Sequence, residues 1–149
     1  MKILKIVSVA ALIGFASVAM AQTAPGLVVS VSSPASVATG NARTLATISL
    51  SAGSSGAVLT KLPLSMGYAA QTGSITSAAP LSNCKLTNAT GTTLNTGSNA
   101  IGPSLGSQDI TVTFDQAINI AAGSNAVLNL VCDVPGTIPN GSAVAVAIF

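Results

Sequence analysis

Hydrophobic and polar positions alternate with a period of two along most of this chain. The clearest run is residues 118–134, INIAAGSNAVLNLVCDV. From Leu128 onward, Leu128, Leu130, Cys132 and Val134 share one face, and Val127, Asn129, Val131 and Asp133 share the other. That is the pattern of a strand with one buried face. The same period returns in residues 26–33 (Leu27, Val29 and Val31 together) and 43–50 (Ala46, Ile48 and Leu50). In residues 57–66 it groups Val58, Thr60, Leu62, Leu64 and Met66 and turns Lys61 outward. It groups Cys84 with Leu86 in residues 81–88, and Ile110, Val112 and Phe114 in residues 109–115. Residues 68–80 read as a loop with a weak strand around Ile75, and a short strand is expected near Thr93 and Leu94.

Residues 34–41, 51–56, 89–106 and 135–142 are rich in Gly, Pro, Asn and Ser, which set turns by their backbone preferences. GSNA stands at 97–100 and again at 123–126, each time before an apolar residue; nothing around it repeats, so it reads as reused turn chemistry. Pro63 cannot donate a ladder hydrogen bond, which predicts an edge or a bulge for its strand. The final run, AVAVAIF at 143–149, is apolar on both faces and uncharged. Such a strand left at an open edge invites aggregation, so it is expected to pair within the domain, beside the Cys132 strand. No segment has a helical period. Seven or eight strands at this spacing predict an all-β, antiparallel β-sandwich over residues 26–149.

The first 21 residues break the pattern. Lys2 and Lys5 precede an apolar run over 6–18, and Ala19-Met20-Ala21 places small residues at the signal-peptidase positions. The run is short for a membrane span of about 20 residues and contains Ser8, Gly14 and Ser17. Residues 1–21 are therefore expected to be a bacterial-type signal peptide, cleaved between Ala21 and Gln22, with 22–25 as a short linker. The expected destination is the periplasm, the cell surface or the medium, with no stable membrane insertion after cleavage.

Composition sharpens this. Hydrophobic residues are 49% of the chain but aromatics only 3%, with no Trp. Ala and Val bury less area per side chain than Phe and Leu, so a covalent staple would matter more than usual. Both cysteines, Cys84 and Cys132, fall in the inward phase of their strands, and export with an even count predicts a disulfide between them. Free buried thiols are the alternative. Past the leader, Arg43, Lys61 and Lys85 balance Asp109, Asp115 and Asp133, so 3 − 3 = 0. Three scattered cations cannot form a nucleic-acid footprint.

The chain has no His and no Glu. Without His there is no Ser-His-Asp or Cys-His arrangement. Asp109 and Asp115, six residues apart on one strand, would lie roughly 20 Å apart in extended chain, too far for a glycosidase pair. No D-x-D-x-D loop is present for calcium. The sequence thus implies no catalytic residues, no cofactor-binding residues and no metal ligands. Asn88-Ala-Thr and Asn140-Gly-Ser match glycosylation sequons, as chance does in an Asn/Thr/Ser-rich chain. Tyr68, the single Tyr, is a thin basis for sugar stacking.

The stretches LSNCKLTNATGTTLNTGSNAIGP and DITVTFDQAINIAAGSNAVLNLVCDV resemble immunoglobulin-like β-sandwich modules of secreted and surface proteins of bacteria. The resemblance covers residues 26–149 and consists of a strand bearing a Cys, a Gly/Asn-rich turn, a T-x-T-F strand and a last Leu-x-Leu-x-Cys strand. It implies an extracellular structural or adhesive role, with other surface proteins or further copies of the chain as partners. The core Trp between the cysteines of antibody-type domains is absent. Two other functions compete: a fimbria-like subunit assembling by strand donation, and a carbohydrate-binding module.

Overall fold

The computed structural model describes residues 22–24, 26–69, 75–77, 81–101, 109–138 and 142–148. Nine strands run through them: β1 (Gln22–Ala24), β2 (Leu27–Ser32), β3 (Gly40–Ala52), β4 (Ala57–Ala69), β5 (Ile75–Ser77), β6 (Ser82–Asn88), β7 (Asp109–Ile120), β8 (Asn125–Val134) and β9 (Ala143–Ile148). A single 3-10 turn lies at Gly97–Asn99. The expected signal peptide, including Ala21, lies outside the described residues. Gln22–Ala24 is not a linker: it pairs with β2, Gln22 opposite Val29.

Two antiparallel sheets enclose one core. The first has the order β1-β2-β3-β8-β6, and in the second β4 is flanked by β9, β7 and β5. β7 and β5 succeed each other along one flank of β4, at Ala57–Ser65 and at Gly67–Ala69, while β9 pairs with Leu64–Ala69 on the other. The long strands pair in nested fashion. β4 pairs with β7, β3 with β8, and β2 meets β9 where the sheets approach at one flank. A long hairpin rolled onto itself gives this order, as in a jelly roll.

The immunoglobulin order is different. Lettering the seven longer strands A to G, that fold has ABED against CFG. Here the sixth, β8, takes the place beside β3, and the fifth, β7, lies beside β4. The expected sandwich stands; the immunoglobulin strand order does not.

The inward rows are those the alternation marks. Leu27, Val29 and Val31 of β2, Ala46, Ile48 and Leu50 of β3, and Leu128, Leu130, Cys132 and Val134 of β8 are all buried. β4 departs from expectation at its start. Val58 is 66% exposed, and Leu59 packs against the core in its place. The cause is a register break: Leu59 pairs with Ile118 and Lys61 with Thr113, so residues 114–117 of β7 stand opposite Thr60 alone. The inward phase of β4 switches across Thr60-Lys61, and β7 leaves the ladder after Thr113. Pro63 lies in this bulged half of β4, which has β7 as a partner; pairing with β9 begins at Leu64. Tyr68, expected in a loop, continues β4 opposite Val144 and Thr76.

Three turns stack at one end of the sandwich. Gly53 N–H donates to Gly26 O (2.6 Å), Gly123 N–H to Gly53 O (2.9 Å), and Ala52 N–H to Ser124 O (3.0 Å). Gly56 has φ 69°, and a Cβ there would lie 2.9 Å from Ile120 O. Backbone conformation and space both require glycine at this junction between the sheets.

Candidate functional site

Chemistry-bearing side chains gather at two places, one around the start of β6 and the end of β8, the other between β6 and β7. The first is the Cys84–Cys132 disulfide, with Cα atoms 4.1 Å apart and both residues buried. It joins β6 to β8, neighbours in the same sheet. The strands flanking β8 both bulge here: β6 shifts register between Ser82 and Lys85, and β3 between Gly40 and Arg43. Within those bulges Asn83 (φ 50°) and Ala42 (φ 51°) take left-handed backbone. For Ala this costs about 1 kcal/mol. Asp133, next to Cys132, offsets it: its carboxylate accepts from Ala42 N (2.8 Å) and from Asn83 Nδ2 (2.6 Å). One aspartate thus fixes both bulges beside the disulfide.

The second place is a strap, residues 88–101, that runs from the free side of β6 to the free side of β7. Leu94 N donates to Leu86 O (2.9 Å), and the buried Asn95 accepts from Leu86 N through Oδ1 (2.7 Å). The far end is held by Asp115, in the stretch where β7 is off its ladder. Asp115 N donates to Leu94 O (2.9 Å), and the Asp115 carboxylate accepts from Thr96 N (2.9 Å to each oxygen), Thr96 Oγ1 (2.7 Å) and Asn99 Nδ2 (3.0 Å). Asn88, the sequon residue, begins the strap: its Oδ1 accepts from Thr90 N, Thr90 Oγ1 and Thr92 N at 2.7–3.0 Å. That is a turn cap.

Both carboxyls are held below the ordinary aspartate value of 3.8. For Asp115 the main cause is the Thr96 backbone N–H, followed by the Thr96 hydroxyl and the Asn99 amide. For Asp133 it is the Asn83 amide, followed by the Ala42 N–H, with Lys85 adding an attractive charge. A depressed folded-state pKa means the unfolded chain binds more protons at acid pH, so stability rises with pH there. The stabilisation is complete above the unfolded value and is lost as pH falls through the folded ones. The expected thermal midpoint is therefore insensitive to these groups from pH 8 to about pH 5 and falls below about pH 4. Asp115→Asn should lower the midpoint at neutral pH and flatten the acid fall. An acid profile identical to wild type would show that the strap is not held by this carboxylate.

The sequence-predicted residues are distributed accordingly. Cys84 and Cys132 are joined; Gln22 begins β1. Asp109 and Asp115 share β7, while Asp133 lies on the other sheet. Among the described residues no three His, Cys, Asp or Glu side chains come together in a way that could hold a metal ion. The alternation places Asp115 on the 109–115 strand and Asp133 on an outward row, and it reports neither capping role. The signal available was local for Asp115, an Asp at the exit of an alternating run with Asn and Thr in the preceding loop. For Asp133 it was only tertiary. GSNA behaves alike at its first residue in both copies, since Gly97 and Gly123 have φ 53° and 68°. Thereafter one continues as a 3-10 turn and the other enters β8. The chain matches no family model, no curated protein and no solved structure.

Proposed function

We propose that this chain is an exported, non-catalytic β-sandwich module that serves as a structural or adhesive part of a bacterial cell's exterior. The observation that carries the reading is the buried Cys84–Cys132 disulfide. A disulfide of this kind fits an oxidising compartment, outside the reducing cytosol. The leader pattern of residues 1–21 points the same way. The other chemistry-bearing groups support a scaffold: two of the three carboxylates are spent on capping bulged backbone and a strap. A Ser/Thr/Asn surface with few charges offers many neutral hydrogen-bonding groups, suited to contact with neighbouring surface material.

Antibody labelling and protease shaving of intact cells test this. The expected result is labelling without permeabilisation, or release of the chain by osmotic shock, and reduced attachment or altered envelope integrity in cells lacking it. A chain confined to the cytosol would overturn the reading.

A further inference from the structure

The edges of the two sheets are not equally protected. In the first sheet β1 is three residues long, and β6 is covered by the strap through Leu86 and Asn88. In the second sheet β7 carries Asp109 and Asp115 and is held to the strap at Leu94 and Thr96. Short length, cover and charge are the usual defences of an edge. Among the described residues β9 has no charge and no strand laddered on its outer side; β2 of the facing sheet approaches it without pairing. β9 is six residues long, carries no charge or Pro, and pairs with β4 in unbroken register from Leu64↔Ile148 to Ala69↔Ala143. Among the described residues β4 is its only ladder partner; the loop contact from Val37 N to Ser142 O (3.0 Å) falls just before the strand. An edge of this kind presents backbone donors and acceptors to a further strand.

We propose that this edge pairs with the β9 of a second copy of the chain, antiparallel, about a two-fold axis through Val146. The sequence of β9 is what singles out its own copy. A two-fold axis normal to the sheet keeps inward residues inward only if residues of like parity face each other. Centring on Val146 opposes Val144 to Ile148, Val146 to Val146, and Ala145 to Ala147. Val144, Val146 and Ile148 are buried on the core side, and Ala145 is exposed on the other. Large residues thus meet large ones on the inner face, and small ones meet small on the outer face. A slip by one residue would oppose inward to outward positions throughout. Like charges do not meet, because β9 has none, and residues 22–149 sum to zero charge. The interface is closed and self-complementary, the commonest form of homo-oligomer. It joins two four-stranded sheets into one continuous sheet of eight strands. This pairing does not depend on where the chain works, so its failure and that of the export reading are separable.

Sedimentation velocity on chain 22–149, from about 1 μM to about 1 mM, tests it. A monomer–dimer equilibrium with a midpoint in the tens to hundreds of micromolar is expected, since one strand pair is a small interface. Ala145→Lys with Ala147→Lys places lysine against lysine across the axis. Ala145→Glu with Ala147→Glu does the same with carboxylates. Each double variant should be monomeric at every concentration, with a melting midpoint close to wild type at low concentration. An equal mixture of the two should dimerise at least as well as wild type. A wild-type chain that stays monomeric at about 1 mM, a Lys variant that still dimerises, a mixture that does not recover dimer, or an open series beyond two copies would each overturn the proposal.

Discussion

Replacing Cys84 and Cys132 together by Ala is expected to lower the melting midpoint by about 10–20 °C. The bond closes a loop with a sequence separation of 48 residues. On the chain-entropy model that restricts the unfolded state by about 4 kcal/mol. A domain of this size loses a few degrees of midpoint per kcal/mol, which gives the quoted fall. The effect is large relative to the whole because the core is poor in aromatics. Among the described residues Phe114 is its one buried aromatic, the rest being aliphatic side chains, Met66 and the cysteines. The bond also ties the β6 bulge to β8, beside the Asp133 carboxylate that caps that bulge. Thermal unfolding followed by circular dichroism, with and without reductant, measures the effect. Alkylation of the native protein without reductant should label neither cysteine. A midpoint that moves by only a degree or two would mean that Asp133 and the β3, β8 and β6 ladders suffice without the bond.

Deleting residues 143–149 is expected to abolish folding altogether. The deletion removes Val144, Val146 and Ile148 from the core and six residues of pairing from β4. Truncating a single buried Val or Ile costs roughly 1–4 kcal/mol, and three are lost together from a domain whose total stability is about 5–15 kcal/mol. Removing β9 would also bare Met66 and Leu64, now buried. The truncated chain should be insoluble or unfolded at any concentration. This separates the intramolecular role of β9 from its outer edge, because the Ala145 and Ala147 variants leave the inward row untouched. A folded, soluble truncation with the wild-type midpoint would contradict the packing described for β9.

Much of this fold is legible in the sequence, because period two reports which face of a strand is buried. Leu128, Leu130, Cys132 and Val134 face the core as their alternation predicts, and Cys84 and Leu86 meet them from β6. What the period cannot report is the neighbour. β9 was expected beside the Cys132 strand, yet it pairs with β4 in the opposite sheet. Likewise, alternation alone does not separate a nested order from an immunoglobulin one, since both bury the same rows. The phase error at Val58 and Thr60 has another cause. The bulge that flips β4 arises from the extra residues of β7, and no local signal in 57–66 carries it. The capping carboxylates were hidden for a similar reason. Asp133 and Ala42 are 91 residues apart in sequence, and only the fold brings them together.

The most direct measurement is non-reducing peptide mapping of the chain recovered from outside the cytosol of the cells that make it. The expected result is a polypeptide beginning at Gln22, with the peptides of Cys84 and Cys132 linked and no thiol open to alkylation. Recovery only from the cytosol, with Met1–Ala21 still attached and both cysteines alkylated, would contradict the exported, disulfide-held module.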